Sequence, residues 1–137
     1  MNIYIFGNGN ISFDDFRKHY ETVILKYFDQ NDVNFLVCDF KGTDTLAMEL
    51  LKCNTPNVSV FHIGERPRYM VDKFKTKAGS WKIIGGFEND EQRDAAVIEN
   101  CTHFIAVDFN SDQKRKSGTQ KNIERCEQLG KIRLKNE

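Results

Sequence analysis

Short runs of residues that are apolar throughout recur along this chain, and helix-period stripes separate them. The runs are Asn2-Ile3-Tyr4-Ile5-Phe6, Asn34-Phe35-Leu36-Val37-Cys38, Val58-Ser59-Val60-Phe61-His62-Ile63, Phe104-Ile105-Ala106-Val107-Asp108 and Ile132-Arg133-Leu134. A strand with one wet face alternates apolar and polar residues. A strand that does not alternate is buried on both faces, which requires a parallel sheet covered by helices. The intervening stripes fit those helices. Phe13, Phe16, Tyr20, Val23, Ile24, Tyr27 and Phe28 follow at spacings of 3, 4, 3, 1, 3 and 1, one apolar face at helical period. Leu46, Ala47, Leu50 and Leu51 form a second stripe. Glu91 to Cys101 and Gln120 to Leu129 read as two more helices, the last stopped by Gly130. Ser12 is placed to cap the first helix, with Asp14 and Asp15 in its first turn.

These elements predict an α/β domain of three layers: a doubly wound, mostly parallel five-stranded sheet of Rossmann-like type. Right-handed crossovers leave few topologies, and the order 3-2-1-4-5 is the expected one. With 137 residues the chain is expected to be a single domain over 1–137. Residues 64–88 are the least sheet-like and read as an irregular insert over one edge of the site. Within it Tyr69 to Lys75 is expected to form a short helix, and Trp81 to Ile84 a short extended piece ended by Gly85-Gly86.

Composition narrows the partners. Twenty basic and twenty acidic residues give no net field toward nucleic acid or membrane. No apolar run approaches the roughly 20 residues of a membrane span, and the first residues do not resemble a signal peptide. Cys38, Cys53, Cys101 and Cys126 are too scattered for a metal or redox pair. Reduced packing thiols in a cytoplasmic protein are the expectation. His62 and His103 fall at opposite edges of the expected sheet and cannot form a metal pair; neither a metal nor a cofactor is expected. Compact folds of this kind often pair, which makes a homodimer one expected state.

In the expected order the first and fourth strands lie side by side at the switch point, where ligands of such sheets bind. Gly7-Asn8-Gly9-Asn10 follows the first strand and precedes a helix. Glycines there let backbone amides approach an anion at a helix N-terminus, although the dinucleotide fingerprint lacks its third glycine. A tight turn without a ligand would also account for the motif. Ser117-Gly118-Thr119 repeats the recipe after the fourth strand, with a plain N-cap as the alternative. Asp44, in Gly42-Thr43-Asp44, could hold a ribose hydroxyl or act as a base, or simply stabilise its helix. Arg93 could clamp a phosphate, with Asp94 beside it; a surface ion pair is the alternative. Asp108 ends the fourth strand facing either the pocket or the solvent. Lys114-Arg115-Lys116 reads as a solvated loop.

Gly7-Asn8-Gly9, Gly42-Thr43-Asp44, Arg93-Asp94 and Ser117-Gly118-Thr119 together resemble the SLOG superfamily. That Rossmann-like group includes the LOG phosphoribohydrolases and the DprA-type proteins. The layout is also similar to nucleoside 2-deoxyribosyltransferases and deoxynucleotide N-hydrolases. The resemblance implies that these loops surround a nucleotide or nucleotide-derived ligand. Two departures stand out. The PGGxGTxxE loop of the phosphoribohydrolases is replaced by Lys116-Ser117-Gly118-Thr119-Gln120-Lys121-Asn122. The nucleophilic glutamate of the deoxyribosyltransferases falls on Asn122, and an amide cannot form a glycosyl ester.

Three functions follow as expectations. The first is a module binding a small nucleotide-like phosphate ligand at Gly7, Asn8, Gly9, Asn10, Gly42, Thr43, Arg93, Ser117, Gly118, Thr119 and Asn122. The second is an N-glycosidic hydrolase or transferase using Asp44, Asp94 or Asp108. The third is an interaction protein with a degenerate pocket, docking through Arg66, Arg68, Tyr69, Phe74 and Trp81.

Overall fold

In each strand successive side chains point to opposite faces, and in the inner strands both faces are covered. Ile3, Ile5, Phe35, Val37, Val58, Val60 and Ile105 fill one core, while Tyr4, Phe6, Leu36, Cys38, Phe61, Phe104 and Ala106 fill the other. The computed structural model describes residues 1–136. Its strands are β1 (Asn2–Ile5), β2 (Asn34–Cys38), β3 (Val58–Ile63), β4 (Lys82–Phe87), β5 (His103–Ile105) and β6 (Ile132–Arg133). They form one six-stranded sheet in the order β4-β3-β2-β1-β5-β6, and every neighbouring pair is parallel.

The first core is closed by α1 (Phe13–Phe16), α2 (Thr22–Ile24) and α3 (Thr43–Leu51), which contribute Phe16, Val23, Ile24, Ala47, Met48 and Leu51. The second is closed by α4 (Asp90–Asn100) and α5 (Gly118–Gln128), through Val97, Ile98, Ile123 and Cys126. The α/β class and the three layers thus agree with the sequence reading.

The strand count does not. The extended piece after Trp81 is a sixth strand, paired with β3 along Ser59↔Lys82, Val60↔Ile83 and Phe61↔Ile84. Its residues 82–86 are exposed, so it lacks the buried signature that marks the other strands. A register shift between Phe61 and Ile63 bends this edge at Gly85-Gly86, which blunts it against further pairing. The helix expected over Tyr69–Lys75 is absent. That stretch is irregular, with Asp72 accepting from the Phe74 amide at 2.8 Å and Lys75 at φ 56°. Trp81 is buried and donates to the Thr55 carbonyl at 2.9 Å, so it is an internal anchor and not part of a partner surface. Phe74, by contrast, is 75% exposed.

The first helix is also not continuous. Between α1 and α2 the chain widens into a π-helical turn, Arg17–Glu21, a departure that clusters at functional places. The turn carries Tyr20, whose hydroxyl donates to the Phe6 carbonyl at 2.8 Å and accepts from the Val107 amide at 2.9 Å. One phenol therefore joins the continuations of β1 and β5, the two strands at the switch point. Tyr20→Phe leaves both buried backbone groups unpartnered. It is expected to lower unfolding free energy by about 1–3 kcal/mol, read from urea midpoints with an unchanged m-value.

Candidate functional site

Beyond the carboxyl ends of β1 and β5 lies a cleft of about 1090 Å³. The loop 7–10 forms one end. Ser117, Gly118, Lys121, Asn122 and Arg125 of the α5 side form one wall, and Asp90, Glu91, Arg93 and Asp94 of α4 the other. Tyr4, Cys38 and Asp44 line it from below, and Phe40, Phe109, Asn110 and Arg115 border it. Phe40 and Phe109 are 40% and 45% exposed, so the cleft offers flat apolar surface beside its polar groups.

The two glycine turns do converge, and Asn8 is the joint. Its side-chain amide donates to Asp108 Oδ1 at 2.9 Å and to Thr119 Oγ1 at 3.3 Å, while its Oδ1 accepts from the Phe109 amide at 2.8 Å. A second tie runs from Asn110 Nδ2 to Asn10 Oδ1 at 2.9 Å. Ser117 caps α5 by accepting from the Gln120 amide at 3.0 Å, and its hydroxyl donates to Asp108 at 2.6 Å.

Several glycines serve the scaffold more directly than a ligand. A Cβ on Gly7 would stand 2.3 Å from the Tyr20 hydroxyl and 2.6 Å from Thr43 Oγ1. Gly42 sits at φ 81°, and a Cβ there would meet the Gly9 backbone at 2.5 Å. Thr43 is fully buried and donates its hydroxyl to the Asn8 carbonyl at 3.0 Å. Gly42 and Thr43, expected at the ligand, instead brace loop 7–10 from behind and do not line the cleft. Gly118 is the reverse case: nothing lies within 4 Å of a Cβ built there, and the residue lines the cleft.

The charged candidates also change roles. Arg93 is 5% exposed and is no free phosphate clamp. Its guanidinium holds Asp39 at 3.0 Å, Asp90 at 2.8 Å and Asp94 at 2.9 Å. Arg68 extends the network to Asp39 at 3.1 Å and Asp90 at 2.9 Å, so it too is engaged internally. Burial opposes the Arg93 charge, but the carboxylates of Asp94 and Asp90 outweigh it and hold its pKa up. Asp94 is satisfied on both oxygens, by Arg93 and by the Asn122 amide at 3.0 Å. Asp108 stands behind the loops. Partial burial would raise its pKa, but hydrogen bonds from Ser111, Ser117, Asn8 and Asn110 prevail and lower it to about 2. That is a structural carboxylate, not a base.

Asp44 differs from both. It is 6% exposed. Oδ2 accepts from the Phe40 amide at 3.0 Å, and Oδ1 has no partner among the described residues. Burial raises its pKa to about 7, with the Phe40 bond and Arg93 opposing and Asp94 and Asp39 reinforcing. Beside it Tyr4 is buried, and its hydroxyl meets the Cys38 thiol at 3.9 Å. Burial pushes the Tyr4 hydroxyl and the Cys38 thiol well above their ordinary ranges, so both stay neutral.

Tyr4, Cys38, Phe40 and Phe109 went unnoticed in the sequence because three lie in or next to strands read only as core. The one available signal was a tyrosine in an otherwise aliphatic strand, whose hydroxyl needs polar surroundings. Of the basic triplet, Arg115 reaches the cleft border, while Lys116 pairs with Glu124 at 2.7 Å. All four cysteines are free, and Cys53, unlike the other three, is exposed. No group of three or more His, Cys, Asp or Glu among the described residues could hold a metal ion. No helix among them is long and apolar enough to cross a membrane.

Comparison with known protein families, curated proteins and solved structures finds no match.

The Asp44 environment has a measurable consequence. A carboxyl whose folded pKa lies above its unfolded value binds its proton more tightly when folded. Its contribution is therefore full below about pH 4 and is lost as pH rises through about 7. Asp44→Asn keeps an acceptor for the Phe40 amide and removes the titration. Relative to the wild type, the variant is expected to gain stability between pH 4 and 7, reaching about 4 kcal/mol by pH 8. Thermal melts of both proteins across that range read the difference.

Proposed function

We propose that the cleft binds a nucleotide or nucleotide-derived ligand through its phosphate. The observation that carries this reading is the convergence of loop 7–10 with the N-terminus of α5 around one cleft, joined by Asn8. A helix N-terminus presents amides and positive dipole to an anion. The part-exposed rings of Phe109 and of Phe40, over which the Arg68 guanidinium lies at 5.4 Å, suit a base. The open oxygen of Asp44 suits a sugar hydroxyl. The resemblance of these turns to SLOG loops supports the same ligand class. Arg93 has no part in this scheme, because its donors are committed to carboxylates.

Gly118→Asp tests this reading without disturbing the fold. The new side chain enters open space. An acidic residue in the first turn of α5 stabilises the helix by about 0.5–1 kcal/mol, while its charge repels a phosphate at the same amides. The melting temperature is expected to hold or rise, and the thermal shift and calorimetric heat produced by nucleotides are expected to vanish. If no phosphate-bearing compound shifts the wild-type melt, the reading is wrong.

One observation favours a second reading, cleavage at an N-glycosidic bond. Asp44 is half-protonated near neutral pH and has an open oxygen in the cleft, which is what a general acid or base requires. In this reading Asp44 moves the proton, and water, not Asn122, is the nucleophile. Chromatography of nucleoside monophosphates incubated with the folded protein should then show free base, lost in Asp44→Asn. Finding no free base removes the second reading and leaves the first standing.

A further inference from the structure

The charges around the cleft are unevenly spent. On the α4 wall, Asp90 and Asp94 are held by Arg93, and Arg68 shares Asp90; exposed Glu91 stands on the same wall. On the α5 side the cations are uncommitted. Lys121 and Arg125, one helical turn apart, and Arg115 all line the cleft. None makes an ion pair among the described residues. The neighbouring carboxylate on that helix, Glu124, is taken by Lys116. The cleft of about 1090 Å³ also stands at the upper end of ligand pockets, which run to about 1,000 Å³. Asp44, buried with one oxygen open, marks the far side as the polar end for a sugar.

We infer that the ligand carries two linked phosphates, one at the Gly118-Thr119 amides and the second on Lys121 and Arg125. The site is then built for a nucleoside diphosphate or a larger nucleotide pyrophosphate rather than for a monophosphate. This rests on the reading of the cleft as a nucleotide site. The first phosphate is recognised by fixed backbone dipoles. The second is recognised by mobile cations, whose pairing with phosphate is charge-assisted and screened by salt. Because the α4 wall offers bound carboxylates and Glu91, the phosphates lie along α5 and the sugar turns toward Asp44.

The experiment is calorimetric titration of the full chain at low and moderate salt with AMP, ADP, UMP, UDP and ADP-ribose. Each diphosphate is expected to bind at least tenfold more tightly than its monophosphate, with the ratio shrinking as salt rises. ADP-ribose tighter than ADP identifies a larger pyrophosphate as the ligand; the reverse identifies a nucleoside diphosphate. In Lys121→Gln/Arg125→Gln, whose positions are exposed, the melting temperature is expected to hold while the diphosphate-to-monophosphate affinity ratio falls from at least tenfold to near one. Equal affinity for mono- and diphosphates in the wild type overturns the inference and leaves the nucleotide site intact. So does a diphosphate advantage that survives in the double variant. Binding of none of the five compounds, where the Gly118→Asp comparison also shows no nucleotide effect, overturns both.

Discussion

The hydroxyl of Tyr20 holds together the place where this sheet reverses direction. A doubly wound sheet has no covalent link between the strands at its switch point, since the chain leaves one for the far edge before returning beside it. Here the hydroxyl satisfies the Phe6 carbonyl and the Val107 amide at once, two backbone groups just past the paired residues of β1 and β5. That geometry explains neighbouring choices. The chain widens into a π-helical turn at Tyr20, and Gly7 has no room for a side chain because the phenol occupies it. Thr43 and Gly42 then close on loop 7–10 from the other side. The two loops emerge at a fixed separation, and Asn8 only has to span the gap.

A second constraint governs the charge of the cleft. Arg93 is buried among Asp39, Asp90 and Asp94, with Arg68 on the outer side. A buried ion pair contributes little net stability, because desolvation consumes most of the attraction, but removing one member leaves uncompensated charge. Its value here is positional: it ties the end of β2 to the first turns of α4 and to the insert. It also sorts the carboxylates. Asp39, bound by the arginines, and Asp108, bound by several hydrogen bonds, are held below the ordinary carboxylate range and stay ionised. Asp44, near Arg93 but not paired with it, is left with a proton that exchanges near neutrality.

The sequence made the layers and most of the strand order legible because burial on both faces writes itself as unbroken apolar runs. β4 was hidden for the converse reason: Lys82, Ile83, Ile84, Gly85 and Gly86 are exposed at an edge, so no pattern of burial selects them. The interruption at Tyr20 was invisible since a π turn preserves the apolar stripe around it. At the site, the glycine turns were correctly located but their duties were mixed. Steric demand from Tyr20 and from the Gly9 backbone accounts for Gly7 and Gly42, whereas Gly118 faces open space. Arg93 and Asp94 were legible as an adjacent charged pair. That they meet Asp39, 54 residues away in the chain from Arg93, is a tertiary fact, and no local spacing announces it.

Asn122 ties these threads to the choice between holding and cutting. An amide at that position has two N–H donors and one acceptor oxygen, and one of the donors is given to Asp94. It thereby satisfies the one carboxylate oxygen that Arg93 leaves open. A carboxylate in its place would face Asp94 at hydrogen-bond distance, and two such groups cannot both ionise without large cost. Asn122 is therefore a neutral link between α5 and Asp94 of α4. Among the groups left open on the α5 wall are Lys121, Arg125 and the backbone of Gly118, all suited to an anion. The proton-active group, Asp44, belongs to the other side. In the proposed reading the cleft's anion-binding groups and its proton-active group thus face each other, so a nucleotide held there would place its phosphates on α5 and its sugar hydroxyls toward Asp44 of α3.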